Sequence, residues 1–258
     1  MGTLVMIHGM WGGPWYWNNY IDYFSARRYS CLAPTLRYHD MDPGSQPDPR
    51  LGTTSLLDYA RDLEDEIADL SEKPVLIGHS MGGLLAQMLA ARGLASAAVL
   101  LTPASPAGIM ALKPSVLRTF WSVMKTWGFW KKPMRIPLEA AAYSILNALP
   151  REEQQEKHDR FVYESGRAAF EIGFWVLDRN RASRVDENNL NCPVLVIAGG
   201  KDRITPLPVV KKVAEKYKNR STFMGFAEHG HWIVEEKGWE TAAAAILGWM
   251  EQKALQDE

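Results

Sequence analysis

The residues with the most chemistry to offer are a serine between glycines, a late pair of histidines and one aspartate between them in chain order. Gly78-His79-Ser80-Met81-Gly82 has the form G-x-S-x-G. It stands between the apolar run PVLIGH (74–79) and a helical pattern, Met81–Arg92. At such a junction the serine rides on a tight turn that exposes its hydroxyl, and the glycines leave room for neighbouring backbone. The N–H of Met81 then faces the point where an oxyanion would form. A serine so placed suits acyl transfer if a base removes its proton. Two histidines, His229 and His231, follow in AEHGHWIVEE (227–236). Asp202 is the only carboxylate in AGGKDRITP (198–206), and an aspartate there would hold an imidazole tautomer and stabilise the imidazolium.

The other histidines read as bystanders. His8 belongs to the turn HGMWGG, His39 lies in a loop, His79 is the variable residue of the serine motif, and His158 sits on a charged helical face. No histidine and carboxylate spacing matches a metal site, and no G-x-G-x-x-G or GxxxxGK[ST] is present. The expectation is therefore no metal and no cofactor.

Elements must position these groups. TLVMIH (3–8), YSCLAPT (29–35), PVLIGH (74–79), AAVLLT (97–102), PVLVIAG (193–199) and STFMGF (221–226) are continuous apolar runs, which predicts six strands buried on both faces. Helical patterns alternate with them at 14–27, 53–70, 81–92, 206–218 and 239–252, and Ser55 with Asp58 has capping-box spacing. That alternation predicts an α/β fold: a mostly parallel, doubly wound six-stranded sheet with helices on both faces. Pro43, Pro47, Pro49 and Gly52 mark an irregular loop. Between 103 and 187 the rhythm breaks. Helical patterns at 114–127, 138–149 and 167–179, and one opening on Pro150, predict a wholly helical lid inserted after the fourth strand. The expected organisation is a core of 1–102 and 188–258 with a helical cap over 103–187.

Composition bounds the rest. A chain of 258 residues suits one such domain, and a formal net charge of -1 offers no basic surface for nucleic acid. Cys31 and Cys192 read as two free thiols, with a lone disulfide as the other possibility. There is no signal-peptide pattern and no apolar stretch long enough for a membrane span, so a cytoplasmic location is the default expectation. Oligomeric state is not readable.

With HGMWGG, GHSMGG, GGKD (199–202) and GHW in this order, the chain resembles the α/β-hydrolase superfamily over about 1–102 and 190–255. The resemblance implies a second oxyanion-hole amide on the residue after His8-Gly9, which is Met10. It also implies that the base is the histidine of Gly230-His231-Trp232, ahead of Glu235 and Glu236, with His229 left to a loop role. The acid of this superfamily can also follow the fourth strand, but TPASP there holds no carboxylate, which leaves Asp202. HGMWGGPWYW further resembles the opening of the plant methylesterase and hydroxynitrile lyase group. The lyases place threonine where this chain has Gly9 and lysine where it has Trp232, so the departures favour an esterase. A serine rather than aspartate elbow argues against haloalkane dehalogenase and epoxide hydrolase chemistry.

The expected activity is a serine hydrolase acting through an acyl-enzyme on carboxylic esters with small-to-medium apolar acyl or aryl groups. A lactonase, thioesterase, lipase or C–C bond hydrolase with the same triad stays open, as does a ligand-binding receptor on a hydrolase scaffold. Trp11, Trp121, Trp127, Trp130 and Trp232 are candidate pocket residues, with Lys125, Lys131, Lys132 and Arg135 as a solvated rim.

Overall fold

The computed structural model describes residues 2–111 and 113–254. β1 (Thr3–Ile7) is followed by a single 3-10 turn at Pro14–Trp17, α1 (Asn18–Ser25) and β2 (Ser30–Leu32). The helix read over 14–27 is thus split, since the proline at the start sets a tighter turn before α1. Next come α2 (Leu56–Ala68), β3 (Val75–His79), α3 (Met81–Ala91) and β4 (Ala97–Leu101). The capping box at α2 is present: Ser55 Oγ accepts from the Leu57 N–H at 3.1 Å, and Asp58 accepts from the Ser55 N–H at 2.9 Å.

A long excursion follows, with α4 (Pro114–Met124), β5 (Pro133–Met134), α5 (Leu138–Ser144), α6 (Arg151–Asp159), β6 (Glu164–Ser165) and α7 (Gly166–Gly173). The chain then closes with β7 (Val194–Gly199), α8 (Leu207–Lys216), β8 (Ser221–Phe226) and α9 (Trp239–Ala254).

The excursion is not wholly helical. β5 and β6 pair antiparallel, Met134 opposite Glu164, and two-residue strands carry no periodicity to read. The helix expected over 167–179 stops at Gly173, and beyond it the buried Asp178 carboxylate accepts from the N–H groups of Asn180 and Ala182 in a turn. The pattern at 138–149 is helical only to Ser144, and Pro150 precedes α6 instead of lying in its first turn.

The main sheet runs β2-β1-β3-β4-β7-β8, parallel throughout. The four central strands are buried on both faces, which is why their sequences are apolar without alternation. One face packs on α2, α3 and α8 through residues such as Leu63, Leu85 and Val210. The other packs on α1 and α9 through Tyr20, Phe24 and Ile246. Strand order reverses between β1 and β3. In open sheets of this kind the crevice outside the carboxyl ends of the strands at that point is the usual place for a ligand.

The excursion is tied to the sheet domain by buried charge. Glu164 accepts from the Tyr59 hydroxyl at 2.8 Å and lies 3.2 Å from His39 Nε2, both side chains fully enclosed. Burial works to lower the His39 pKa, but the adjacent Glu164 outweighs it and the net shift is upward. Glu171 of α7 accepts from Ser55 Oγ and from the Leu56 N–H at 2.8 Å, so the α2 N-terminus is held from across the boundary. Cys31 and Cys192 are free thiols.

Candidate active site

Three loops converge at the carboxyl ends of the central strands. The first follows β1. Here Gly9 is required by close approach, since a Cβ at that position would lie 2.9 Å from the Ser80 Cβ and 3.1 Å from the His79 carbonyl. His8 is locked into this turn: its Nε2 accepts from the Leu36 N–H at 3.2 Å, so Nδ1 carries the proton and donates to Gly9 O at 2.9 Å. Burial, with His39 nearby, lowers its pKa to about 3.

The second loop is the junction between β3 and α3. Ser80 takes φ 53° and ψ -119°, a strained conformation for a residue with a side chain. The surroundings hold it there. Its N–H donates to Leu101 O at 3.0 Å, and its carbonyl accepts from the Ala104 N–H at 2.9 Å. Gly82 lets α3 press onto β1, because a Cβ there would fall 2.1 Å from the Ile7 carbonyl oxygen. The Ser80 hydroxyl has no hydrogen-bond partner among the described residues, and neither do the N–H groups of Met10 and Met81. Met10, Ser80 and Met81 all border the same cavity.

The third loop brings the acid and the histidine together. His231 Nδ1 donates to Asp202 Oδ2 at 2.8 Å, with both side chains buried. The other carboxylate oxygen, Oδ1, accepts from the N–H groups of Ile204 at 2.7 Å and Thr205 at 2.9 Å, and the Thr205 hydroxyl donates to Oδ2 at 2.7 Å. Burial alone would raise the Asp202 pKa. The adjacent His231 and the Thr205 hydrogen bonds outweigh it, so the carboxyl is held below its ordinary value. That bond leaves Nε2 as the free, basic edge of the His231 ring.

His229 is elsewhere. Its Nδ1 lies 3.3 Å from Glu236 Oε2 but off hydrogen-bond geometry, so it has no hydrogen-bond partner. The loop is anchored through backbone instead: Gly230 N–H donates to Glu236 Oε2 at 2.7 Å, and Lys201 N–H to His229 O at 2.8 Å.

Sequence reasoning passed over four side chains that support this loop. The Gly9 N–H donates to the Tyr16 hydroxyl, and that hydroxyl lies 3.3 Å from His79 Nδ1. His79 Nε2 in turn donates to the His231 carbonyl at 2.8 Å, which also accepts from Thr102 Oγ1 at 3.2 Å. Thr205, the fourth, braces Asp202. Burial, then His231, lowers the His79 pKa to about 3, so it stays a neutral relay. Only proximity in space reveals these partners, since His79 and His231 are 152 residues apart.

Two cavities meet at Ser80. The larger, about 190 Å³, is bordered by Ser80 and Met81 and walled by Ile109, Phe120, Phe129 and Phe174. The smaller, about 20 Å³, is bordered by His231, Trp11, Trp232, Phe120 and Ile145. At roughly 10–15 Å³ per water, the second holds one or two small heavy atoms and the first an extended apolar group.

The candidate pocket tryptophans therefore divide. Trp11 and Trp232 are buried at the smaller cavity; Trp11 Nε1 donates to Met134 O at 3.2 Å and Trp232 Nε1 to Glu235 at 2.9 Å. Trp130 packs on Phe129 and Phe170 and borders neither cavity. Trp121 and Trp127 face solvent, 65% and 85% exposed. α4 turns Phe120 and Met124 inward, which puts Trp121 on its outer face, and Trp127 lies past the helix end. No group of three or more candidate metal ligands occurs among the described residues.

A profile of the alpha/beta hydrolase family matches residues 4–245. Among curated proteins none matches the chain by sequence. Solved structures share its architecture at low identity. The methylesterase MES16 from Arabidopsis superposes with a TM-score of 0.71 at 15% identity, covering 97% of this chain and 99% of that one. A pyrethroid hydrolase from Sphingobium faniae JZ-2 gives 0.71 at 17% identity, covering 98% and 99%. A monoacylglycerol lipase from Paleococcus ferrophilus gives 0.69 at 23% identity, covering 96% and 93%.

Proposed function

The chain belongs to the alpha/beta hydrolase family, and we propose that within it the protein is a serine esterase whose nucleophile, base and acid are Ser80, His231 and Asp202. The observation that carries this reading is the hydrogen bond from His231 Nδ1 to the buried Asp202, with His231 and the strained, unpartnered Ser80 bordering the same small cavity. Ser80 Oγ attacks the ester carbonyl carbon as its proton passes to His231 Nε2. Asp202 stabilises the imidazolium, and the N–H groups of Met10 and Met81 receive the oxyanion. Collapse expels the alkoxide, which takes the proton from His231. Water then attacks the acyl-enzyme by the same route in reverse and releases the acid.

The residues 103–187 act as a lid on this reading, since Phe120 and Phe174 wall the larger cavity. The two cavities support an assignment of the two halves of the substrate. The leaving alkoxide must lie beside His231, hence in the smaller cavity, and the acyl chain extends into the larger. Esters with a bulky apolar acid and a small alcohol fit. The isomers methyl nonanoate and octyl acetate test this directly. Methyl nonanoate is expected to have the higher kcat/KM by more than about tenfold, the worth of two buried methylenes at about 0.8 kcal/mol each. A preference for octyl acetate would reverse the assignment.

Tyr16 and His79 act as positioning residues, joining the oxyanion loop to the His231 backbone. Tyr16→Phe removes the hydroxyl between Gly9 and His79. A loss of about 1–3 kcal/mol in stability is expected from the unpaired buried groups. A fall in kcat of about 10- to 100-fold with little change in KM should accompany it, as for a small misplacement of reacting groups. A variant that loses stability but keeps kcat would confine Tyr16 to a packing role.

A further inference from the structure

Trp121 and Trp127, turned out to solvent, stand on an unusual piece of chain. From Pro103 to Leu138 the sequence has six basic residues, Lys113, Arg118, Lys125, Lys131, Lys132 and Arg135, and no acidic residue. The rest of the chain carries seven more acids than bases, so charge is segregated to this stretch. All six but Arg135 are exposed. Apolar side chains are exposed among them: Met110 and Leu117 are each 47% accessible, and Trp121 lies one turn on from Leu117. Trp127 contacts Trp130 with ring centroids 5.4 Å apart.

A second segment repeats the combination. Val176 and Leu177 are exposed, followed by exposed Arg179, Arg181 and Arg184, while the intervening Asp178 is buried against Arg167. Both segments meet at the larger cavity, which Met110, Leu117 and Trp175 border. Because Met110 and Leu117 are half exposed while bordering it, the cavity opens to solvent there. The path from this opening to Ser80 is lined by apolar side chains.

We propose that this face docks on an anionic lipid surface, with the mouth of the cavity turned toward the acyl chains. Exposed tryptophans suit the boundary between headgroups and chains, and lysine stems reach back to negative headgroups. Clustered basic residues beside them draw the face to anionic lipid. Exposed apolar side chains of this size, grouped at an opening, mark a contact surface. A second copy of this chain is the poorer occupant: a two-fold contact through the patch would set its cations against themselves.

Co-sedimentation with vesicles tests the proposal, using phosphatidylcholine alone and phosphatidylcholine with about one-third phosphatidylglycerol. The full chain should pellet with the anionic vesicles at least about tenfold more than with the neutral ones at low salt, and less as salt is raised. The double variant Trp121→Glu, Trp127→Glu should lose the anionic binding while keeping its thermal midpoint and its hydrolysis of a soluble short-chain ester. Lys125→Glu, Lys131→Glu, Lys132→Glu should remove the salt dependence. Wild type that stays in solution with anionic vesicles, or tryptophan variants that pellet as wild type does, would overturn it. A concentration-dependent dimer abolished by the same tryptophan changes would also overturn it, since the face would then bind a second copy. Because vesicle binding is read apart from hydrolysis, failure here leaves the esterase reading intact, and failure of hydrolysis leaves the docking result standing.

Discussion

Replacing His231 with alanine is expected to lower kcat/KM by about 10⁴- to 10⁶-fold, while His229→Ala stays within about tenfold of wild type. The two histidines are separated by one glycine, yet their surroundings differ. His231 Nδ1 is hydrogen-bonded to a buried carboxylate, its carbonyl is held by His79 and Thr102, and its ring borders the cavity that reaches Ser80. In the proposed mechanism that ring takes the serine proton and returns it to the leaving alkoxide, so its removal removes the base. The His229 ring packs at the edge of Phe226, and among the described residues its Nδ1 has no hydrogen-bond partner, although Glu236 Oε2 lies 3.3 Å away. Its loop is held by Gly230, Glu236 and Lys201 through backbone groups that an alanine retains. Steady-state kinetics on a short-chain methyl ester separates the two. A loss with His229→Ala as large as that with His231→Ala would mean that the wrong ring has been assigned the proton.

Asp202→Asn is the second change with a large expected effect, a fall in kcat of about 10⁴-fold with KM little altered. The direction follows from how the side chain is held. Oδ1 accepts from the N–H groups of Ile204 and Thr205, and an asparagine would keep its carbonyl oxygen there. Its amide nitrogen is then forced toward His231 Nδ1. An N–H donor in that place makes Nδ1 the acceptor and leaves Nε2 protonated, unable to take the serine proton. The variant should fold, because every backbone donor keeps its partner. It should also respond less to acid. The Asp202 pKa is lower folded than unfolded, so its carboxylate adds stability above the ordinary carboxylate range and loses it as pH falls through the lowered value. Asparagine removes that contribution. A fall in kcat below about tenfold would mean that the carboxylate does not set the tautomer.

What could be read from the chain alone follows the reach of each signal. The four central strands were legible because strands buried on both faces leave continuous apolar runs, as in Val194–Gly199 and Ala97–Leu101; β2 and β8, also expected to be buried on both faces, lie at the sheet edges and are only partly covered. Ser80 was legible as the turn between β3 and α3 because glycines on either side have a steric reason to be there. The choice of His231 over His229 rests on a resemblance as well as residues, since spacing alone leaves His229 open. The supporting set of Tyr16, His79, Thr102 and Thr205 was not legible. Their hydrogen bonds join residues brought together by the sheet, and a tyrosine in PWYW or a threonine ending β4 carries no local mark of its partner. The outward turn of Trp121 and Trp127 was hidden for a different reason. Helical spacing says which residues share a face but not which face meets the cavity, and the aromatic density of this stretch suits either a pocket or a surface. The pairing of β5 with β6 was out of reach because two residues set no period.

The proposed mechanism requires Ser80 to be an activated nucleophile. Intact-mass analysis after exposure to a fluorophosphonate reads this without requiring the right substrate. Wild type is expected to gain one phosphonyl group, lost in Ser80→Ala. Folded wild type that gains no mass, or a Ser80→Ala chain that still does, would contradict it.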